Sequence, residues 1–288
     1  MRFSCIHTHT NCCDGSDDVE TCCQRAFEKG LSSLGFSAHA PIIKKTGLGS
    51  RWHLPEERLE EYFKSVRAAK KRWEGKLPVY LGLEVDFIPG LTGPADRDYR
   101  DMDLDYIIGA VHYVIPPRGP IFTVDDPAED VDKGIKEGFG GDPLGMVEAY
   151  WNSLEAMIRA GCFDILAHPD LIKKNNLGPD GSGSRMFSED TDPYRQRSAA
   201  IATLMAQAGV PAEINTGGIN RGKIKDCYPS PGFLKFFREQ GVPMVINADA
   251  HCAEHRTATT KKPGKPCSRQ VIPGRCFSAG AKTAKLSG

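Results

Sequence analysis

Short apolar runs alternate with longer amphipathic stretches along most of this chain, and that alternation limits the folds open to it. A β-like run ends at Ile6. Asp17 with Glu20 makes a capping-box signal for a helix running to Lys29, with Gly30 as its stop. Leu34–Ser37, Val79–Phe87, Tyr106–Val114, Phe163–Ala167, Pro211–Asn215 and Val242–Asn247 read as strands. Helical patterns cover Pro55–Trp73, Leu144–Ala160, Tyr194–Ala208 and Gly232–Gln240, with a proline in the first turn of the first of these. Residues 115–142 and 173–192 are rich in Gly, Asp and polar side chains and read as loops or insertions. Repeated β–α alternation implies parallel strands joined by helices, as an open sheet or a barrel.

The length of 288 residues fits one large domain, two small ones or a single α/β barrel, at about 150 residues per domain. No linker or internal repeat separates two units. Residues 1–255 carry the alternating pattern. After Glu254 there is no Asp or Glu, hydrophobic periodicity stops, and 256–288 reads as a disordered basic tail or one translated out of its ancestral frame. Thirty-seven basic residues balance thirty-seven acidic ones, which argues against general affinity for nucleic acid or anionic membrane. No apolar run approaches the roughly 20 residues of a membrane span, and the first residues lack a signal-peptide pattern. The expected location is the cytoplasm. Ten cysteines without a Cys-x-x-Cys pair read as reduced thiols rather than a disulfide framework.

The histidines select strand ends. His7, His39, His112, His168 and His251 each stand at or just after the C-terminal end of a predicted strand, and His9 lies two residues past His7. In a parallel α/β fold those ends converge on one face, where active sites form. Glu84 lies within the strand Val79–Phe87, Asp249 stands two before His251, and Asp14 follows His9 by five. In an extended backbone the two histidines of His-x-His face one side, as do Asp249 and His251. Imidazole and carboxylate together suit Zn²⁺, Mn²⁺ or Fe²⁺. Nine such groups exceed the four or so protein ligands of one ion, so two or three divalent ions are expected. Asp14 also fits an Asx turn before Gly15. His53, before a proline and a helix, reads as a cap or surface residue, and His255 begins the basic tail.

Gly217–Lys223 opens like a phosphate-binding P-loop, but Ile224 replaces the required Ser or Thr, so nucleotide binding there is rejected. Arg221 in that turn follows a strand end and would face the same mouth, where a guanidinium suits a bidentate phosphate contact; a solvated loop arginine is the alternative.

Taken together, His7-Thr-His9, Asp14-Gly15, Ser37-Ala-His39-Ala-Pro41, Gly82-Leu-Glu84-Val-Asp86, Gly109-Ala-Val-His112, Ala167-His168-Pro-Asp170, Glu213-Ile-Asn215-Thr and Asp249-Ala-His251 resemble the PHP (polymerase and histidinol phosphatase) metallophosphoesterases. The set is most similar to their stand-alone histidinol-phosphatase branch, over residues 3–251. The resemblance implies a distorted (β/α)7 barrel, TIM-like, with up to three metals at its C-terminal mouth. It implies that His7, His9, Glu84 and Asp249 hold one ion, that Glu84, His112 and His168 hold a second with Glu84 bridging, and that Asp14, His39 and His251 hold the third. It implies a phosphate-binding role for Arg221. The implied reaction is hydrolysis of a small phosphorylated substrate, L-histidinol phosphate, by metal-activated water, with Asp249 or a metal-bound water as candidate acid. A nucleotide phosphatase or exonuclease is the alternative within the family, and a non-catalytic metal-binding scaffold the alternative outside it. Oligomeric state is not encoded in these patterns.

Overall fold

The computed structural model describes residues 3–42, 46–48, 50–178 and 184–256. Seven parallel strands form one sheet: β1 (Ser4–Cys5), β2 (Ser33–His39), β3 (Val79–Asp86), β4 (Tyr106–Ala110), β7 (Ile165–Leu166), β8 (Ala212–Asn215) and β9 (Met244–Asn247), in that spatial order. Two short strands, β5 (Tyr113–Val114) and β6 (Phe122–Thr123), make a separate antiparallel pair. The main helices are α1 (Val19–Glu28), α2 (Leu59–Arg72), α4 (Ala128–Phe139), α5 (Pro143–Ala160), α6 (Asp192–Ala208) and α8 (Pro231–Glu239); α3 (Arg97–Arg100) and α7 (Gly217–Asn220) are single turns. The sheet nearly closes on itself. Past β1 and β9, Thr8 bridges Ala250 in parallel, with His9 N–H donating to the Ala250 carbonyl at 2.9 Å. The expected seven-stranded barrel is therefore present.

Side-chain alternation assigns the two faces. On β3, Val79, Leu81, Leu83 and Val85 pack into the main core beneath the helices, so Tyr80, Gly82, Glu84 and Asp86 turn inward. The barrel interior is filled by Tyr106, Ile108, Ala110, Ile165 and Ala167, joined by Ile6, Tyr80 and Val245. Tyr106 crosses the barrel and its hydroxyl reaches the carbonyl oxygens of Ile6 at 2.6 Å and Phe36 at 2.9 Å. This plug seals the lower barrel and leaves polar side chains to its upper end.

Several elements depart from the sequence reading. The N-cap of α1 is Asp18, which accepts from Thr21 N–H at 2.7 Å, rather than Asp17. Asp17 accepts instead from Ala253 N–H at 2.6 Å and ties the chain after β9 to the start of α1. The strand expected over Tyr106–Val114 leaves the barrel at Ala110, because the His112 N–H and ring turn to Asp86. Residues 115–142 are not a simple loop: they hold β6 and α4, whose Val131, Ile135 and Gly138 recur at helical spacing and are buried. Flanking Pro, Gly and Asp residues obscured that stripe in the sequence. The basic segment 256–288 lies outside the described residues beyond Arg256, and no disulfide occurs among the described residues. No helix among them is long and apolar enough to cross a membrane.

Candidate metal centre

All nine sequence-predicted ligands meet at the C-terminal mouth of the barrel, and Glu84 is at their centre. It is 1% exposed at the end of β3. Its Oε2 lies 3.1 Å from His7 Nε2, 3.1 Å from His39 Nδ1 and 3.5 Å from His9 Nε2. Its Oε1 lies 2.9 Å from His168 Nε2 and 3.7 Å from His112 Nε2. One carboxylate thus faces five imidazoles supplied by the ends of four strands.

Asp249 faces the same group from the chain after β9. Its Oδ1 stands 3.2 Å from His9 Nε2 and 3.7 Å from His7 Nε2. Its backbone is left-handed, with φ of 46°, an uncommon state that aspartate tolerates better than most residues. Gly217 makes room for it: a β-carbon there would come within 2.9 Å of Asp249 Cβ. Asp14 closes the outer side, 3.0 Å from His251 Nε2, 3.5 Å from His9 Nδ1 and 3.8 Å from His39 Nε2.

Among the described residues, possible ligand atoms fall into four overlapping groups, each within 4.8 Å: His9, Asp14, His39 and His251; His7, His9 and Asp249; His7, Glu84 and His168; and His39, Glu84 and His112. The residue types and spacing suit borderline cations such as zinc. Orphaned atoms support the fit. His7 Nε2, His9 Nε2, His39 Nδ1 and Glu84 Oε2 are buried and have no hydrogen-bond partner. Buried lone pairs facing one another across 3.1–3.5 Å repel unless a cation or a proton lies between them. These residues therefore fit divalent ions.

Charge shapes the protonation of the side chains. Burial pushes Glu84 up, but His7 and His39 outweigh it and hold the carboxyl well below its usual range. Burial likewise opposes the ionisation of Asp249 and Asp14, yet Arg221 and His7 pull Asp249 down, and His251 and His39 pull Asp14 down. His7 is raised well above its ordinary value despite burial, because Glu213 and Glu84 flank it. Burial also lowers His112, but Asp86 overrides it and brings the imidazole to about 10. His39 and His9 are lowered, chiefly by burial.

Arg221 reaches the same mouth from the turn after α7. Its Nη2 donates to Asp249 Oδ2 at 3.2 Å, and its Nη1 lies 2.6 Å from His251 Nδ1. It contacts two members of the cluster directly and is still partly open to solvent.

Three residues of the site escaped the sequence reading. His53 is neither cap nor surface: it is buried and donates through Nε2 to Asp86 Oδ2 at 2.8 Å, with Ser50 Oγ at its Nδ1. Asp86 also accepts from His112 Nδ1–H at 2.7 Å. Glu213, fully buried on β8, accepts from His7 Nδ1–H at 2.8 Å. Asp86 and Glu213 were visible as charged residues at inward positions of apolar strands. His53 had no local signal.

The model of the PHP domain family matches residues 6–217. A Deinococcus radiodurans protein named as a probable histidinol-phosphatase is 31% identical over 247 residues, covering 85% of each chain. The chain belongs to the PHP family. A Bacillus subtilis histidinol-phosphatase is 24% identical over 259 residues, covering 86% of this chain and 92% of its own. Among solved structures, a Listeria monocytogenes protein assigned as a histidinol phosphatase superposes with a TM-score of 0.76 at 22% identity, over 88% of this chain and 96% of that one. A Lactococcus lactis histidinol phosphate phosphatase, solved with zinc, L-histidinol and phosphate, gives a TM-score of 0.60 at 17% identity, over 88% and 87%. These two likenesses establish the shared PHP barrel.

Proposed function

We propose that this PHP protein is a metal-dependent phosphomonoester hydrolase that converts L-histidinol phosphate and water to L-histidinol and phosphate, a step of histidine biosynthesis in the cytoplasm. The observation that carries the reading is the convergence of nine ligand-type side chains, Glu84 among them, at the barrel mouth, with Arg221 beside them. Identity of 31% across 85% of a curated relative of that name supports the substrate.

His7, His9, Glu84 and Asp249 would hold one ion, Glu84, His112 and His168 a second, and Asp14, His39 and His251 a third. Residues 1–255 would make up the catalytic unit. Two or three divalent ions, zinc among them, supply Lewis acidity when bound: they lower the pKa of water and offset charge on phosphoryl oxygens. The protein's own groups do the rest. Arg221 offers a planar pair of donors to a phosphate entering the mouth. Asp249 anchors that guanidinium through Oδ2 while turning Oδ1 to His7 and His9, so phosphate and ions share one reference point. The Tyr106 plug closes the barrel below Glu84 and confines substrate to the mouth. Asp249, or a water on a bound ion, would be the candidate to pass a proton to the departing alkoxide.

The test is phosphate release from L-histidinol phosphate beside a nucleoside monophosphate, with zinc- or manganese-loaded protein and a His9→Ala control. Fast release from the first alone, lost in the control, is the expected result. Release mainly from the nucleotide would place the chain in another branch of the family. No release from either by folded, metal-bearing protein would sink both enzyme readings for these substrates and favour the scaffold.

A further inference from the structure

Two buried carboxylates of the mouth belong to none of the four ligand groups, yet they bond to members of them in matching ways. Asp86 Oδ1 accepts from His112 twice, from Nδ1–H at 2.7 Å and from the backbone N–H at 3.2 Å. Its Oδ2 accepts from His53 at 2.8 Å. Glu213 Oε1 accepts from His7 Nδ1–H at 2.8 Å, and its Oε2 accepts from the His168 backbone N–H at 3.2 Å and from Asn215 Nδ2 at 2.9 Å. Each carboxylate holds one imidazole and one backbone amide of the histidine set, and each spends its remaining capacity on another polar side chain. Asn215 carries the second network on to Asp249 Oδ2 at 3.2 Å.

The consequence falls on ring orientation. An imidazole whose Nδ1–H is committed to a carboxylate presents a lone pair at Nε2. In both His7 and His112 it is Nε2 that turns to Glu84. The contrast lies within the same cluster. His39, whose Nε2 lies 3.8 Å from Asp14 without a hydrogen bond, faces Glu84 with Nδ1 instead, and His168 turns Nε2 to Glu84 with its Nδ1 unbonded. Burying two carboxylates is costly unless they are fully bonded, and three donors on each offset that cost.

We infer that Asp86 and Glu213 are positioning residues: each fixes the tautomer and orientation of one histidine, His112 and His7 respectively, so that Nε2 is the atom offered to a divalent ion. His53 acts one step further out, holding the second oxygen of Asp86 so that the first stays on His112. The inference rests on the metal reading above and adds to it which side chains set the geometry of the ligands. Carboxylates that hold a ligating imidazole in this way typically change metal affinity by about 10–100-fold.

The experiment measures zinc affinity by chelator competition for the full chain and for Asp86→Asn, Glu213→Gln and His53→Gln, beside Asp105→Asn as a control. Asp105 is a carboxylate before β4, away from the mouth, bonded to Leu81 N–H and Lys70. The expected result is a loss of about 10–100-fold in the affinity of one zinc ion in D86N and in E213Q. H53Q should lose less, and D105N should bind as the unaltered chain does even if its melting temperature falls. Unaltered affinity in both D86N and E213Q, with zinc bound normally by the parent, would overturn the inference alone. A parent that takes up no divalent ion would overturn the metal reading and this inference with it. Should the variants fail to fold, ¹⁵N-histidine NMR of the zinc-loaded parent decides. His7 and His112 are expected to carry the proton on Nδ1 and the metal on Nε2, and the reverse arrangement would overturn the assignment.

Discussion

Arg221 grips Asp249 at two points: Nη2 to the side-chain Oδ2 at 3.2 Å and Nη1 to the backbone carbonyl at 3.3 Å. The guanidinium is thereby held against the ligand cluster with donors left over. Under the proposed reaction, Arg221→Ala should keep its metal and lose about 100-fold or more in kcat/KM, the usual effect of deleting one preorganised donor to a developing anion. Arg221→Lys should recover only part of this, since an ammonium lacks the planar fork. Steady-state kinetics with metal analysis checks both. Activity close to that of the parent in Arg221→Ala would make Arg221 an anchor for Asp249 and nothing more.

Glu84 is the one carboxylate that faces five imidazoles of the cluster, so its charge is costly to remove. Glu84→Gln is expected to abolish hydrolysis and to lower bound metal per chain, because a neutral amide cannot balance cations shared among five imidazoles. Treating the parent with a chelator should reproduce the loss, and added zinc or manganese should restore activity to the parent but not to the variant. Elemental analysis beside phosphate release measures it. Full metal content in Glu84→Gln would remove Glu84 from its bridging role.

The histidines of the mouth were legible because each ends an apolar run, and the chain direction of a parallel fold sends all such ends to one face. The inward turn of Glu84 follows from simple alternation on β3. The relationship of His53 to Asp86 was not legible, because it returns the chain to a residue 33 positions away. Local pattern carries no record of such a return, and the proline after His53 points to a helix cap instead. Helix α4 was hidden for a different reason: its apolar stripe is narrow, and the turn-forming residues around it dominate the composition. The swap of Asp17 for Asp18 as cap shows the same limit at smaller scale, since both aspartates fit the pattern and only the contact with Ala253 separates them.

Protons and metals should compete at this site with a defined sign. In metal-stripped protein His7 lies well above its ordinary pKa, and His112 is brought to about 10. A folded-state pKa above the unfolded value of about 6.5 gives stability that is complete below that value and lost as pH rises toward the folded one. Metal-stripped protein should therefore lose melting temperature between pH 7 and 9. Zinc-loaded protein should move the other way, since ions bind deprotonated imidazoles and gain affinity as pH rises. Thermal melts of both forms across that range test the pair of slopes, and calorimetry in buffers of different ionisation enthalpy should record proton release on zinc binding. Parallel slopes for the two forms would contradict the protonation pattern described here.

Gly82 links the plug of the barrel to the site above it. It stands two residues before Glu84 on β3 and faces inward, where a β-carbon would come within 2.5 Å of Tyr106 Cζ. Tyr106 cannot retreat freely, because its hydroxyl is held by the carbonyls of Ile6 and Phe36 on the far side. Gly82→Ala should therefore push either the ring or the strand, and an overpacked core site of this kind costs about 1–3 kcal/mol. If the strand moves, Glu84 moves with it, and the variant should lose metal affinity as well as melting temperature. The double variant Gly82→Ala with Tyr106→Leu, which vacates the ring's space, separates the two effects: metal affinity should return while stability remains reduced by the lost plug. Denaturant melts beside zinc titration measure both. A Gly82→Ala protein with the parent's stability and metal affinity would show that Tyr106 has room to yield, and would remove the steric link between the plug and Glu84.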